Sequence, residues 1–257
     1  MGRYAMDAFL TKPRYAKFKE LANYNDGYSD SPRKVLNEAA FDARTKKLLV
    51  PTRIQSLIKT IPNKAMTRDE LYAYVNRPET SMLKGILTIL GWGDIQPKNF
   101  RSFANKETKF LAEALKDIAK SQLSQSEAYE KIKSLKKGSS KHWKLYGLGP
   151  AYYTKLLYFY TKEKKHTCYI MDQFTARSMN FLCYKNEIPL TEDGNVDKSN
   201  TGEIYERFCL RIEAISRNLK AEGKKVEPEN VEFALFGKDS DWRTYLTTND
   251  MIARRRR

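Results

Sequence analysis

The sequence contains no uninterrupted run of about 18 apolar residues, so no membrane-spanning helix is expected. The best stretch, Met82 to Trp92, is broken by Lys84, Gly85 and Thr88. The N-terminus lacks the continuous apolar segment of a secretory signal. Met6 stands where a myristoylation signal following Gly2 requires Ser or Thr. Cysteine is scarce: Cys168, Cys183 and Cys209 are too few for a disulfide scaffold and form no Cys-x-x-Cys pair. Only two histidines exist, His142 and His166, so neither a zinc site nor an iron–sulfur cluster is expected, and the cytoplasm is the natural compartment. Acidic charge is the minority sign: 31 Asp and Glu face 47 Lys and Arg, a net charge of +16 over 257 residues. Such an excess points to a polyanionic partner, nucleic acid first and an anionic membrane second. No strong cationic amphipathic anchor favours the membrane. What the chain has is 41% apolar residues, enough to bury a core in one large domain or two lobes.

The apolar residues recur mostly at helical spacing. Charged amphipathic segments lie at about 32–43 and 53–60. Thr67 and Glu70 form the capping-box pattern, which starts a helix through Leu71, Tyr74 and Val75. Residues 83–90 predict a short buried helix, turned out by Gly91-Trp92-Gly93-Asp94. Phe103, Phe110, Leu111, Leu115 and Ile118 are periodic, as are Ala128, Ile132 and Leu135, before Gly138 breaks the pattern. Helices are predicted again over 174–183, 204–219 and 231–236, with a polar loop over 185–203. Strand signals are weak throughout, so the expected fold is all-α.

The stretch from His142 to Phe181 carries the chemistry. Leu145-Tyr146-Gly147-Leu148-Gly149-Pro150 separates two helical patterns. Gly147 and Gly149 permit a tight hairpin, and Pro150 suits the first position of the next helix. The N–H groups around Leu148 and Gly149 then face outward at a helix N-terminus, where they can bind a phosphate. Lys141 and Lys144 add positive charge upstream. This is the sequence form of a helix-hairpin-helix, about 134–160, although Gly-x-Gly-Pro by itself also fits an ordinary loop. The following helix, Ala151 to Tyr160, is apolar or aromatic nearly all round, with Lys155 in its middle. A lysine there reaches a cleft, snorkels or pairs, and desolvation turns its amine toward nucleophilic reactivity. Asp172 then ends a short apolar run and opens a helix. It is a preferred cap, and a carboxylate fixed that way can also stabilise a cationic sugar.

Residues 141–181, with their hairpin and an aspartate 23 positions after Gly149, resemble the helix-hairpin-helix DNA glycosylase superfamily. Leu90-Gly-Trp-Gly93 and Val231-Glu-Phe-Ala-Leu-Phe236 resemble its bacterial 8-oxoguanine DNA glycosylase-like group. The resemblance implies two helical lobes around an active-site cleft: residues 1–62 with 166–257, and residues 63–165. It implies double-stranded DNA as partner, action as a monomer, and the bacterial cytosol or nucleoid as location; no protein partner is implied. It implies base flipping and cleavage of an N-glycosidic bond, with Asp172 essential. Asp172 and Lys155 are thus the catalytic candidates, and Gly147, Leu148, Gly149, Lys141 and Lys144 the DNA-binding ones. No cofactor is implied beyond a monovalent ion that the hairpin carbonyls of such proteins can hold. One departure stands out: the lysine of bifunctional members falls two residues past the second hairpin glycine, where this chain has Ala151. Lys155 is one turn further on the same face, so it is either the nucleophile or a residue of base recognition or pairing. The substrate is then an oxidised purine or a modified base of viral DNA, in repair or in defence.

Gln173, Tyr152 and Trp92 are candidates for the base pocket, while Trp143 and Trp242 fit either stacking or packing. Tyr153, Tyr158 and Tyr160 read as core, Cys168 as buried and inert, Glu227 and Glu232 as solvated or ion-paired, and Arg254 to Arg257 as a basic tail. The alternative from another class is a noncatalytic helix-hairpin-helix DNA-binding protein. A tyrosine recombinase is disfavoured because Leu145 and Tyr169, not Arg, follow the histidines at the His-x-x-Arg spacing.

Overall fold

The computed structural model describes residues 9–22, 24, 32–35, 50–104, 108–135, 148–183, 185–237 and 240–255. Among these the elements in chain order are α1 (Lys12–Leu21), β1 (Arg33–Lys34), α2 (Thr52–Lys59), β2 (Ala65–Met66), α3 (Arg68–Val75), α4 (Met82–Trp92), α5 (Pro97–Ala104), α6 (Lys109–Lys120), α7 (Gln125–Ser134), α8 (Pro150–Thr161), α9 (Gln173–Leu182), α10 (Gly202–Ala221), α11 (Pro228–Phe236) and α12 (Asp241–Arg255). The fold is all-α apart from one two-residue antiparallel ribbon, in which Arg33 faces Met66 and Lys34 faces Ala65. The ribbon replaces the start of the helix expected at about 32–43; the rest of that segment lies outside the described residues.

The chain divides into two compact units, one made of Met1–Tyr28 and Tyr169–Arg257, the other of Ser29–Cys168. The second unit starts at Ser29 rather than at 63 because β1 pairs with β2 and α2 packs against α4. Its core is α4 against α8, with α6 packed on both. Every residue of α4 from Gly85 to Trp92 is buried, as is every residue of α8 from Tyr153 to Thr161. Gly85 lets the two helices meet: a Cβ there would collide with the Tyr160 hydroxyl. The helix starts follow the sequence. Thr67 and Glu70 close a reciprocal capping box, and so do Ser124 and Glu127.

In the other unit α9 packs between α1 and α11, and α10 covers α11. Trp242, fully buried, donates to Ser178 Oγ at 3.0 Å, and Ser178 donates to the Leu235 carbonyl at 2.6 Å. The polar segment after α9 is held by side chains rather than by regular structure. Asn180 bonds the backbone of Glu187 and Ile188, and buried Asn200 bonds the carbonyls of Pro189 and Asp197. Arg177 reaches the carbonyls of Asp193 and Gly194. Gly194 has φ +77°, and a Cβ on it would collide with the Arg177 guanidinium. Gly194→Ala therefore meets both a left-handed backbone, about 1–2 kcal/mol for an L-residue, and the loss of the Arg177 anchor. The expected outcome is a melting temperature lower by several degrees in calorimetry. An unchanged melting temperature would show that the loop tolerates a side chain there.

Candidate active site

Asp172 follows a buried segment without regular secondary structure, Cys168 to Met171, and caps α9. Its Oδ1 accepts the N–H groups of Phe174 at 2.9 Å and Thr175 at 3.0 Å, while the Asp172 N–H donates to Thr175 Oγ1 at 2.9 Å. The cap thus engages one carboxylate oxygen. Among the described residues Oδ2 takes no hydrogen bond, yet Asp172 is only 9% exposed. The first N–H groups of a helix carry partial positive charge, and the Asp172 side chain meets two of them. Gln173 occupies the first helical position, half-buried, and its amide has no hydrogen bond among the described residues. Beside it, Phe174 carries the Arg243 guanidinium at 3.4 Å from its ring centre and meets Phe236 edge-on. None of Phe174, Phe236 and Arg243 was a site candidate by sequence, although Phe236 ends the family-like fragment at 231–236. Adjacency to Asp172 was a signal for Phe174, whereas nothing local marks Arg243.

Lys155 lies in the Ser29–Cys168 unit and is 8% exposed. Its Nζ donates to the Ala151 carbonyl at 3.1 Å, so the long stem folds back one turn along α8. The amine thus lies against the backbone of Ala151, the residue that stands where the bifunctional pattern has lysine. Nζ sits 5.7 Å from the ring centre of Tyr152, which is half-buried and accepts the Gln96 N–H on its hydroxyl at 3.3 Å. The stem passes against Gly93. Gly93 belonged to a family-like fragment in the sequence, but no local pattern tied it to Lys155.

Gly149 caps α8 in an extended conformation, Pro150 is the first helical residue, and Leu148 is buried as an anchor. Among the described residues a Cβ on Gly149 would meet nothing within 4 Å. Gly147, Lys141, Lys144 and Trp143 lie outside the described residues. Trp92 is corrected: it is 1% exposed, donates Nε1–H to the Met66 carbonyl at 2.9 Å and meets Phe159 edge-on. Arg33 lies over its ring at 4.7 Å. It joins the ribbon to α4 and α8 and offers no open face to a base. Aromatic residues look alike in sequence whether they are buried or presented. Tyr153, Tyr158 and Tyr160 are core residues, and Glu232 is buried rather than solvated. The three cysteines are buried thiols; burial pushes Cys183 up to about 11, against the pull of Arg211, and keeps it protonated. Among the described residues no three His, Cys, Asp or Glu side chains gather as a metal site, and no helix is long and apolar enough to cross a membrane.

Residues 33–236 match the family described as "Putative 8-oxoguanine DNA glycosylase OGG-like protein", and the chain belongs to that family. No curated protein and no solved structure matches it.

Proposed function

We propose that this protein is a DNA glycosylase that draws a damaged or modified base out of the duplex and cleaves its N-glycosidic bond. The observation that carries the reading is the Asp172 carboxylate, fixed through one oxygen by the start of α9 and presenting the other. As the bond from C1′ to the base breaks, the electron pair leaves with the base and the sugar takes on oxocarbenium character. A preorganised carboxylate stabilises that charge without reorganising. If water is the nucleophile, its oxygen bonds to C1′, its proton is released, and an abasic site remains. If Lys155 attacks, Nζ bonds to C1′ and the opened sugar forms an imine, from which β-elimination cuts the strand. Both routes are redox-neutral overall, so the chemistry calls for no redox group. Gln173 and Tyr152 are the remaining proposed contacts to the base, and Leu148 and Gly149 the proposed contacts to phosphate.

The charge distribution supports a nucleic-acid partner. Of the 47 Lys and Arg, 27 lie in Ser29–Cys168, against 13 of the 31 Asp and Glu, so this unit carries nearly all of the net positive charge. Binding to duplex DNA is expected to weaken steeply with salt through counterion release.

The test is release of free base and formation of abasic sites on duplexes carrying 8-oxoguanine, other oxidised purines, or the modified bases of viral DNA. Release from one class names the substrate. Salt-dependent binding to every duplex without release from any would establish a noncatalytic DNA-binding protein instead.

A further inference from the structure

Gly93 ends α4 with φ −75° and ψ 7°, a backbone that any residue adopts, so its missing side chain serves space rather than conformation. A Cβ there would stand 2.8 Å from Cδ and 3.3 Å from Cε of Lys155, and 3.2 Å from the Ile89 carbonyl. The lysine stem therefore fills the room that a side chain at 93 would take. The next residue, Asp94, has φ 58° and turns the chain, as its residue type tolerates better than most. Two residues on, the Gln96 N–H reaches the Tyr152 hydroxyl, and the Tyr152 ring lies beside Nζ.

We propose that the Gly93–Gln96 turn is the positioning element of Lys155. Gly93 leaves the channel for its stem, the Gln96 N–H orients the Tyr152 ring beside the amine, and the two hold Nζ at the Ala151 carbonyl. A long side chain samples many rotamers, and an amine held in one of them loses less freedom when it engages a reacting sugar or a flipped base. The crowding that a Cβ would cause falls first on the lysine stem, which can swing away, so Gly93→Ala displaces Lys155 before it disturbs α4. The consequence for base release rests on the role given to Lys155 above; the placement of the amine does not.

The experiment has two arms on the full-length protein. In the first, reductive methylation by formaldehyde and cyanoborohydride is followed at Lys155 by peptide mass spectrometry, with exposed Lys98 and Lys116 as internal references. Lys155 is expected to react slowly in wild type, and several-fold faster in both Gly93→Ala and Tyr152→Phe while the references stay unchanged. In the second, single-turnover base release is measured on an 8-oxoguanine duplex. Gly93→Ala is expected to lower the rate about tenfold at unchanged duplex affinity, below the ~10²-fold that an ångström-scale misplacement can cost. In a Lys155→Gln background the same substitution is expected to cost nothing further, as a residue acting through Lys155 requires. Unchanged labelling of Lys155 in the folded variants overturns the proposal, and so does an equal loss of rate in both backgrounds. If wild type releases no base from the probe, the functional reading fails for that base, while the labelling arm still decides the placement. If Gly93→Ala does not fold, the labelling of Lys155 in Tyr152→Phe decides the placement: unchanged labelling overturns it.

Discussion

Asp172→Asn is expected to slow base release by about 10²–10³, or about 2.7–4 kcal/mol of transition-state stabilisation, while the protein melts at nearly the same temperature. The separation follows from the geometry of the cap. Oδ1 receives both N–H groups, from Phe174 and Thr175, and the asparagine carbonyl receives them equally well. Thr175 still accepts the backbone N–H of residue 172. The charge and the second acceptor oxygen are lost, and these are what the proposed chemistry uses. Asp172→Ala makes the contrast: it also removes the cap, so stability falls by about 1 kcal/mol in addition to the loss of rate. The measurements are single-turnover base release, duplex affinity and thermal melting on the two variants. An Asn variant that turns over at the wild-type rate would reduce Asp172 to a capping residue.

The residue types that announced themselves in the sequence are those whose role is local. Thr67 with Glu70, and Asp172 ahead of Gln173, act on N–H groups within three residues, so their chemistry is written at fixed spacing. Helices α2, α4, α7, α9, α10 and α11 were legible for the same reason, because an apolar stripe is a local pattern. The β1–β2 ribbon was not, since two residues per strand show no alternation and their pairing spans more than thirty positions. Helix α1 was missed because Lys and Arg dilute its stripe to the buried Tyr15 and Phe18. The early turn expected at Gly91 came later, at Gly93, because burial against α8 overrides the low helix propensity of Gly91.

Within the candidate site the division is similar. Lys155 stood out as the one charge on an apolar helix, and its burial was implied by its neighbours. The direction of its amine was not, because that is set by Gly93, Gln96 and Tyr152, two of which come from another helix end some sixty residues earlier. Gly93 looked like a turn glycine, whereas its φ is ordinary and its function is room for a side chain. Trp92, next to it, looked like a stacking surface and is a core residue whose indole N–H is already bonded. Such cases are decided by tertiary packing, which carries no signature at either single position.

Lys155→Gln is expected to remove a covalent intermediate altogether. If Nζ attacks C1′, the imine that follows is reducible, so borohydride should fix the wild-type protein to the DNA strand, and peptide mapping should place the link on Lys155. The Gln variant should give neither the adduct nor strand cleavage. It is nearly isosteric along the stem, so packing against Gly93 is largely kept and the loss reports on the amine rather than on folding. The amine is already enclosed: its residue is 8% exposed, and the Ala151 carbonyl and the Tyr152 ring flank it. Its hydrogen bond to Ala151 is one it donates, which leaves the nitrogen lone pair for attack once a proton is shed. Base release by wild type without any trappable adduct would assign the step to water and make Lys155 a contact to the base or the sugar. Lys155→Gln would then raise KM, or change the preferred base, instead of abolishing a reaction step. An adduct mapped to Lys141 or Lys144 would remove both Lys155 and its supporting turn from the nucleophilic step.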